Sequence, residues 1–148
     1  MDISQYAASA DSIGTLSQYQ INNFFRQHTS VTRNGCDQTA AEIIGCSVSV
    51  TPVQGVGSYT VAGGTKVVQF RHFELDLQVL NPARQSYGKF VPGCVAHGRL
   101  GDGYVYEMDL VPGIAFCQAR RQLFSPEMEP RLMRTVQDLA RYVDWSHS

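Results

Sequence analysis

Gln54-Gly55-Val56-Gly57-Ser58-Tyr59-Thr60-Val61-Ala62-Gly63-Gly64-Thr65-Lys66-Val67-Val68-Gln69-Phe70-Arg71 decides the fold. Two glycine turns, 54–58 and Gly63-Gly64, bracket runs of β-branched and aromatic residues. That pattern predicts strands over Tyr59–Ala62 and Val67–Arg71 joined as a meander. Just upstream, Val48, Val50 and Val53 fit a further strand, which Pro52 assigns to an edge or a bulge. Downstream, Cys94–Leu100 and Tyr104–Leu110 flank Gly101-Asp102-Gly103, a compact turn that suits a hairpin. Between these strand groups the pattern changes. Phe73, Leu75, Leu77 and Val79 alternate, but Leu75, Val79, Ala83 and Tyr87 recur at four-residue spacing. Asn81-Pro82 offers a cap with proline at the first helical position, so the segment reads as a helical element ending at Gly88.

Outward from the sheet the periodicity is helical. Residues 1–14 are small and polar and read as a flexible arm. Thr15 or Ser17 opens a helix running to about His28, with Leu16, Tyr19, Asn23 and Phe24 near one face and Ile21 and Phe25 widening it. Asn34-Gly35 reads as a turn, Asp37 as the cap of a short helix 38–44, and Gly45 as its left-handed end. Pro112-Gly113 stops the last strand. Ser125-Pro126 or Glu129-Pro130 then starts a final helix striped by Leu132, Val136, Leu139 and Val143. The expected architecture is α+β: a single domain over 15–148, with N-terminal helices, a five-stranded antiparallel sheet, an inserted helix and a C-terminal helix.

With 148 residues, 43% of them hydrophobic, the chain can bury a sizeable core. Twelve Lys and Arg against 13 Asp and Glu give a net charge of −1, which supplies no global field for nucleic acid or an anionic membrane. No signal-peptide pattern follows Met1, and no run of about 18 apolar residues spans a bilayer. Cys36, Cys46, Cys94 and Cys117 are widely spaced, form no CxxC pair and fit thiols in a reducing, cytoplasmic setting. No cofactor and no metal are expected, because the histidines, cysteines and carboxylates share no ligand spacing.

Several residues carry candidate chemistry. Gly55 and Gly57 allow backbone N–H groups to approach an anion, although the stretch lacks the phosphate-loop lysine pattern. His72 and Asp76 form an acid–base pair if residues 72–76 are helical. His97 is a second acid–base candidate, and His28 is a possible donor at the helix end. Glu107 and Asp109 alternate on the fifth strand, where they can bind an amine or divide acid and base roles. Tyr59, Tyr104 and Tyr106 are placed to line an organic ligand pocket. Nothing near Cys94 or Cys117 lowers a thiol pKa, so both read as structural.

The ordered set resembles a known family. Val53-Gln54-Gly55-Val56-Gly57-Ser58-Tyr59-Thr60-Val61 resembles the first hairpin of fungal aminoglycoside phosphotransferase-like proteins, and Val67-Val68-Gln69-Phe70-Arg71 resembles their third strand. Leu75-Asp76, Ala83 through Tyr87-Gly88, Val91-Pro92, and Tyr104-Val105-Tyr106-Glu107-Met108-Asp109 leading to Pro112-Gly113 follow the same pattern. The resemblance covers roughly residues 31–113 and implies a kinase-like N-lobe. It departs from the family at the third-strand lysine, where this chain has Gln69-Phe70-Arg71. Arg71 supplies positive charge there without being an equivalent lysine. No catalytic-loop series follows Pro112-Gly113, so phosphoryl transfer by the chain alone is not expected. The resemblance therefore implies a domain that binds an organic small molecule or a protein partner. That partner is a second copy in a homodimer or a missing-lobe protein. The alternatives are a small natural-product enzyme (isomerase, cyclase or lyase) using a His–carboxylate pair, and a subunit of a split phosphotransferase.

Overall fold

A computed structural model describes residues 10–145, which fall into two compact units, one ending at Pro112 and the other beginning at Gly113. The first unit opens with α1 (Ala10–Gln27) and α2 (Arg33–Ile44). A sheet of five strands follows: β1 (Ser49–Val50), β2 (Ser58–Gly63), β3 (Lys66–Arg71), β4 (Cys94–Leu100) and β5 (Gly103–Asp109). Helix α3 (Leu77–Tyr87) is inserted between β3 and β4. The sheet is antiparallel throughout, in the order β1-β2-β3-β5-β4. The α+β class is as expected, as are the edge position of the first strand and the helix after β3, although that strand stops at Val50 and includes neither Pro52 nor Val53.

Boundaries moved where side chains bond to the backbone. Helix α1 begins at Ala10, inside the stretch expected as an arm; residues 1–9 lie outside the described residues. Its buried stripe is Ser17, Gln20, Ile21 and Phe24, continued by His28 just past its end, while Tyr19 from the expected face is exposed. Hydrogen bonding rotates that face. Ser17 Oγ donates to the Pro52 carbonyl at 2.8 Å and accepts from Gln54 N at 3.2 Å, so a polar residue faces the sheet. Helix α2 also starts early, because Thr32 Oγ1 accepts from Gly35 N at 3.0 Å and caps it. Asn34-Gly35 is thus the first helical turn, where backbone N–H groups need no helical acceptor. Helix α3 begins at Leu77 rather than at Asn81-Pro82, with Asp76 as its cap.

Strand alternation gives the sheet two faces. Tyr59 and Val61 on β2, Val68 and Phe70 on β3, and Val105 on β5 share one face with Ile21, Phe24, Cys36 and Ala40 of the helices. Gln69, Arg71, Tyr104 and Tyr106 lie on the opposite face, where Leu75 N, ahead of α3, donates to Tyr106 Oη at 2.8 Å. The second unit holds α4 (Phe116–Leu123), which the sequence reading did not anticipate, a 3-10 turn at Pro126–Met128, and α5 (Glu129–Trp145). On α5, Val136 and Leu139 of the expected stripe are 53% and 63% exposed, as is neighbouring Met133 at 51%, while Leu132 is half-buried. Among the described residues no helix is long and apolar enough to cross a membrane.

Candidate functional site

The glycine turn is closed by its own side chains. Gln54, only 5% exposed, donates from Nε2 to the Thr51 and Thr60 carbonyls at 3.0 and 2.8 Å, and its Oε1 accepts from Thr60 N at 3.0 Å. Gly57 sits at φ 70°, a conformation glycine adopts without a Cβ penalty, and a Cβ there would meet His72 Cδ2 at 3.2 Å. Gly55 and Gly57 therefore belong to a turn packed on Gln54 and His72. Tyr59 is enclosed in the core and lines no open surface, against expectation. Its hydroxyl donates to Asp37 Oδ1 at 2.7 Å and accepts from Arg33 Nε at 3.2 Å. Burial first, and the Asp37 hydrogen bond second, push its pKa up to about 12.

The expected His72–Asp76 pair does not form. Residues 72–76 are not helical, so the one-turn spacing that would join them is absent. Asp76 instead accepts from Gln78 N at 2.9 Å as the cap of α3. His72 turns to α1, where its ring stacks on His28 with centroids 3.2 Å apart and lies 4.9 Å from Phe24. His28 Nδ1 lies 3.0 Å from Asp102 Oδ1, which also accepts from Ser30 Oγ. The Ser30 hydroxyl, and after it His28, hold the Asp102 carboxyl down at about 2. Its ionised form thus favours the folded chain above the ordinary carboxylate value of 3.8, and this contribution is lost as pH falls through about 2. Between pH 4 and 2, acid unfolding followed by circular dichroism is expected to be steeper for the wild type than for Asp102→Asn. Equal slopes would contradict this role.

A second cluster lies on the core-side face of the sheet beyond the helices, where β3, β4 and β5 carry charge. His97 Nε2 and Glu107 Oε2 are 2.8 Å apart across a β-bulge between Ala96 and Arg99. Lys66 Nζ bridges Glu107 Oε1 at 3.5 Å and Asp109 Oδ1 at 2.8 Å. Asp109 Oδ2 accepts from Gly93 N at 2.9 Å and lies 4.0 Å from Arg84. The Asp109 bond raises the Lys66 pKa, and the Lys66 bond, followed by the Gly93 N–H, lowers that of Asp109. Both ions are therefore held charged. Burial raises the Cys94 thiol, the reverse of an activated nucleophile.

The opposite face holds an open groove. Glu74, Leu75, Asp76, Leu77 and Gln78 form one wall, Ala96 and Tyr106 the other, around about 380 Å³. Tyr106 is 2% exposed and fixed by the Leu75 N–H, so the floor is preformed. Arg71 shares this face of the sheet. Its Nη1 donates to Gln69 Oε1 at 2.7 Å, while its Nε is buried with no hydrogen-bond partner among the described residues. The residues missed by sequence reasoning are Glu74 and Ala96 on the groove, and Ser30 and Asp102 beside His28. Gly101-Asp102-Gly103 signals a turn, but nothing local shows that it meets Ser30, 72 positions away. Among the described residues no three His, Cys, Asp or Glu side chains are grouped to hold a metal ion. No protein-family model, curated protein or solved structure matches the chain.

Proposed function

We propose that the chain is a recognition domain that holds an organic small molecule in the groove between Glu74–Gln78 and the Ala96–Tyr106 wall. The groove itself carries this reading. Leu75, Leu77, Ala96 and the Tyr106 ring offer apolar contact, and the Glu74 and Asp76 carboxylates add negative charge. Such a mix suits an amphipathic organic amine. Five antiparallel strands with a helix after the third support the phosphotransferase-like part of the reading. Phosphoryl transfer is not part of it. Gln69-Phe70-Arg71 stands at the family's lysine, and Lys66 is engaged by Asp109 and Glu107. A titration in which ATP and magnesium bind the isolated chain would instead favour the split-phosphotransferase alternative. The test of the groove is a ligand-observed NMR screen of small organic amines against neutral analogues. Amine binding that competes within one site supports the reading, and absence of any such site removes it.

A protein partner is the other arm of the proposal, and the open stripe of α5 supports it. The wild type is expected to sediment as a dimer at high concentration, and Val136→Asp with Leu139→Asp is expected to sediment as a monomer. A wild type that stays monomeric over a broad concentration range rules the homodimer out.

Acid–base catalysis is a second reading, favoured by the 2.8 Å His97–Glu107 contact on an open face beside Lys66. A turnover that survives both His97→Gln and Glu107→Gln would exclude that pair.

A further inference from the structure

The recognition reading leaves one built cluster unused, at the junction of α1, the end of β3 and the β4–β5 turn. His28 is 6% exposed and His72 is half-buried, and their rings are tilted by only 29° at 3.2 Å. Nε2 of each ring is buried and has no hydrogen-bond partner among the described residues. Asp102 is acceptor-only when ionised, so His28 Nδ1 carries a hydrogen towards it. A buried ring nitrogen without a partner is costly, and a proton turns it into a charged N–H donor with no acceptor to meet it.

We propose that the stacked His28–His72 pair is a proton-operated latch that clasps the Gly57 turn and the β4–β5 turn to the end of α1 and opens when the His72 ring takes up a proton. Both turns are wired to it. His72 N donates to the Gly57 carbonyl at 3.2 Å, and the His72 ring fills the space beside the Gly57 Cα. On the other side, Asp102 ties His28 and Ser30 to the turn, and Asp102 N donates to Ser30 Oγ at 3.2 Å. Gly101, at φ 58°, lets the turn approach, since a Cβ there would come within 2.6 Å of Ser30 Oγ. A proton on His72 puts a charge into a half-buried site against the stacked His28 ring, while the Asp102 carboxylate is engaged on the far side by His28 Nδ1 and Ser30.

The groups around the pair impose the direction. Asp102 comes from the β4–β5 turn, with Arg99 of β4 held on the Asp102 carbonyl at 2.8 Å. From β3, Arg71 turns to the other face and donates to Gln69. From α1 the neighbour is Phe24, which is uncharged. Burial, then the His28 ring, lower the proton affinity of His72 below the ordinary value of 6.5, against a smaller opposing effect of Asp102. The unfolded chain therefore takes up this proton at higher pH than the folded chain does. Stability from the closed latch is complete above about pH 6.5 and declines as pH falls below it.

The test is an NMR pH titration of the full chain, following both histidine rings and the amides of Gly57, Ser58, Gly101 and Asp102. The expected result is that the four amides move together with the His72 ring, with one midpoint below 6.5, and that His72→Phe abolishes their shared movement. Amides that stay still while His72 titrates, or that move unchanged in His72→Phe, would overturn the latch. Should the phenylalanine variant fail to fold, the wild-type titration decides by itself. Midpoints that differ between His72 and the turn amides would then overturn the proposal.

Discussion

Phe24→Ala is expected to destabilise the first unit by about 3–5 kcal/mol, the range for removing a buried aromatic ring. Phe24 is 1% exposed and touches four rings: Phe25 at 5.1 Å, His28 at 5.0 Å, Tyr59 at 6.4 Å and His72 at 4.9 Å. It is the point at which α1 meets both the sheet core and the histidine pair. Its loss therefore removes transfer energy and leaves a cavity that rigid strands on one side cannot fill. Denaturant unfolding followed by circular dichroism gives the value directly. A change below about 1 kcal/mol would mean that α1 does not pack on the sheet as described.

Ala96→Trp is expected to abolish ligand binding while leaving the fold intact. Ala96 is exposed on the edge strand β4, so a larger aromatic side chain there meets solvent and suits a strand. The same side chain projects into the groove and fills the space above Tyr106. An amine fragment that binds the wild type should lose at least about tenfold in affinity, or about 1.4 kcal/mol. Thermal unfolding of the variant serves as the control. A variant that is folded and binds as well as the wild type would place the ligand elsewhere.

The sheet was legible because its signals are local. Gly63-Gly64 and Gly101-Asp102-Gly103 lie between β-branched and aromatic runs, and the strands they join, β2 with β3 and β4 with β5, ended within a residue or two of expectation. Gly45, at φ 83°, likewise ended α2 where the sequence put it. Helix starts were less legible, since each depends on which oxygen wins the first free N–H. Thr32 took that place from Asp37, and Asp76 took it from Asn81-Pro82. The freed Asp37 carboxylate then accepts from Tyr59 across the core interface, a pairing no periodicity encodes.

The candidate sites were less legible still, because their members meet only through the sheet register. His97 and Glu107 were each identifiable as acid–base residues, but their contact depends on a bulge that offsets β4 against β5. His72 was identifiable too, and its assigned partner was the nearest carboxylate in sequence rather than the ring that α1 brings to it. The groove combines a capping segment with an edge strand, so Glu74 and Ala96 have no signal of their own. Long-range contacts of this kind follow from packing, which a hydrophobic pattern specifies only coarsely.

Chemical-shift mapping of the backbone amides during titration with a small organic amine tests the groove most directly. Saturable shifts confined to Leu75–Gln78, Ala96 and Tyr106 are expected, absent in Ala96→Trp. Shifts centred on the Lys66–Glu107–His97 face, or no saturable shifts at all, would contradict it.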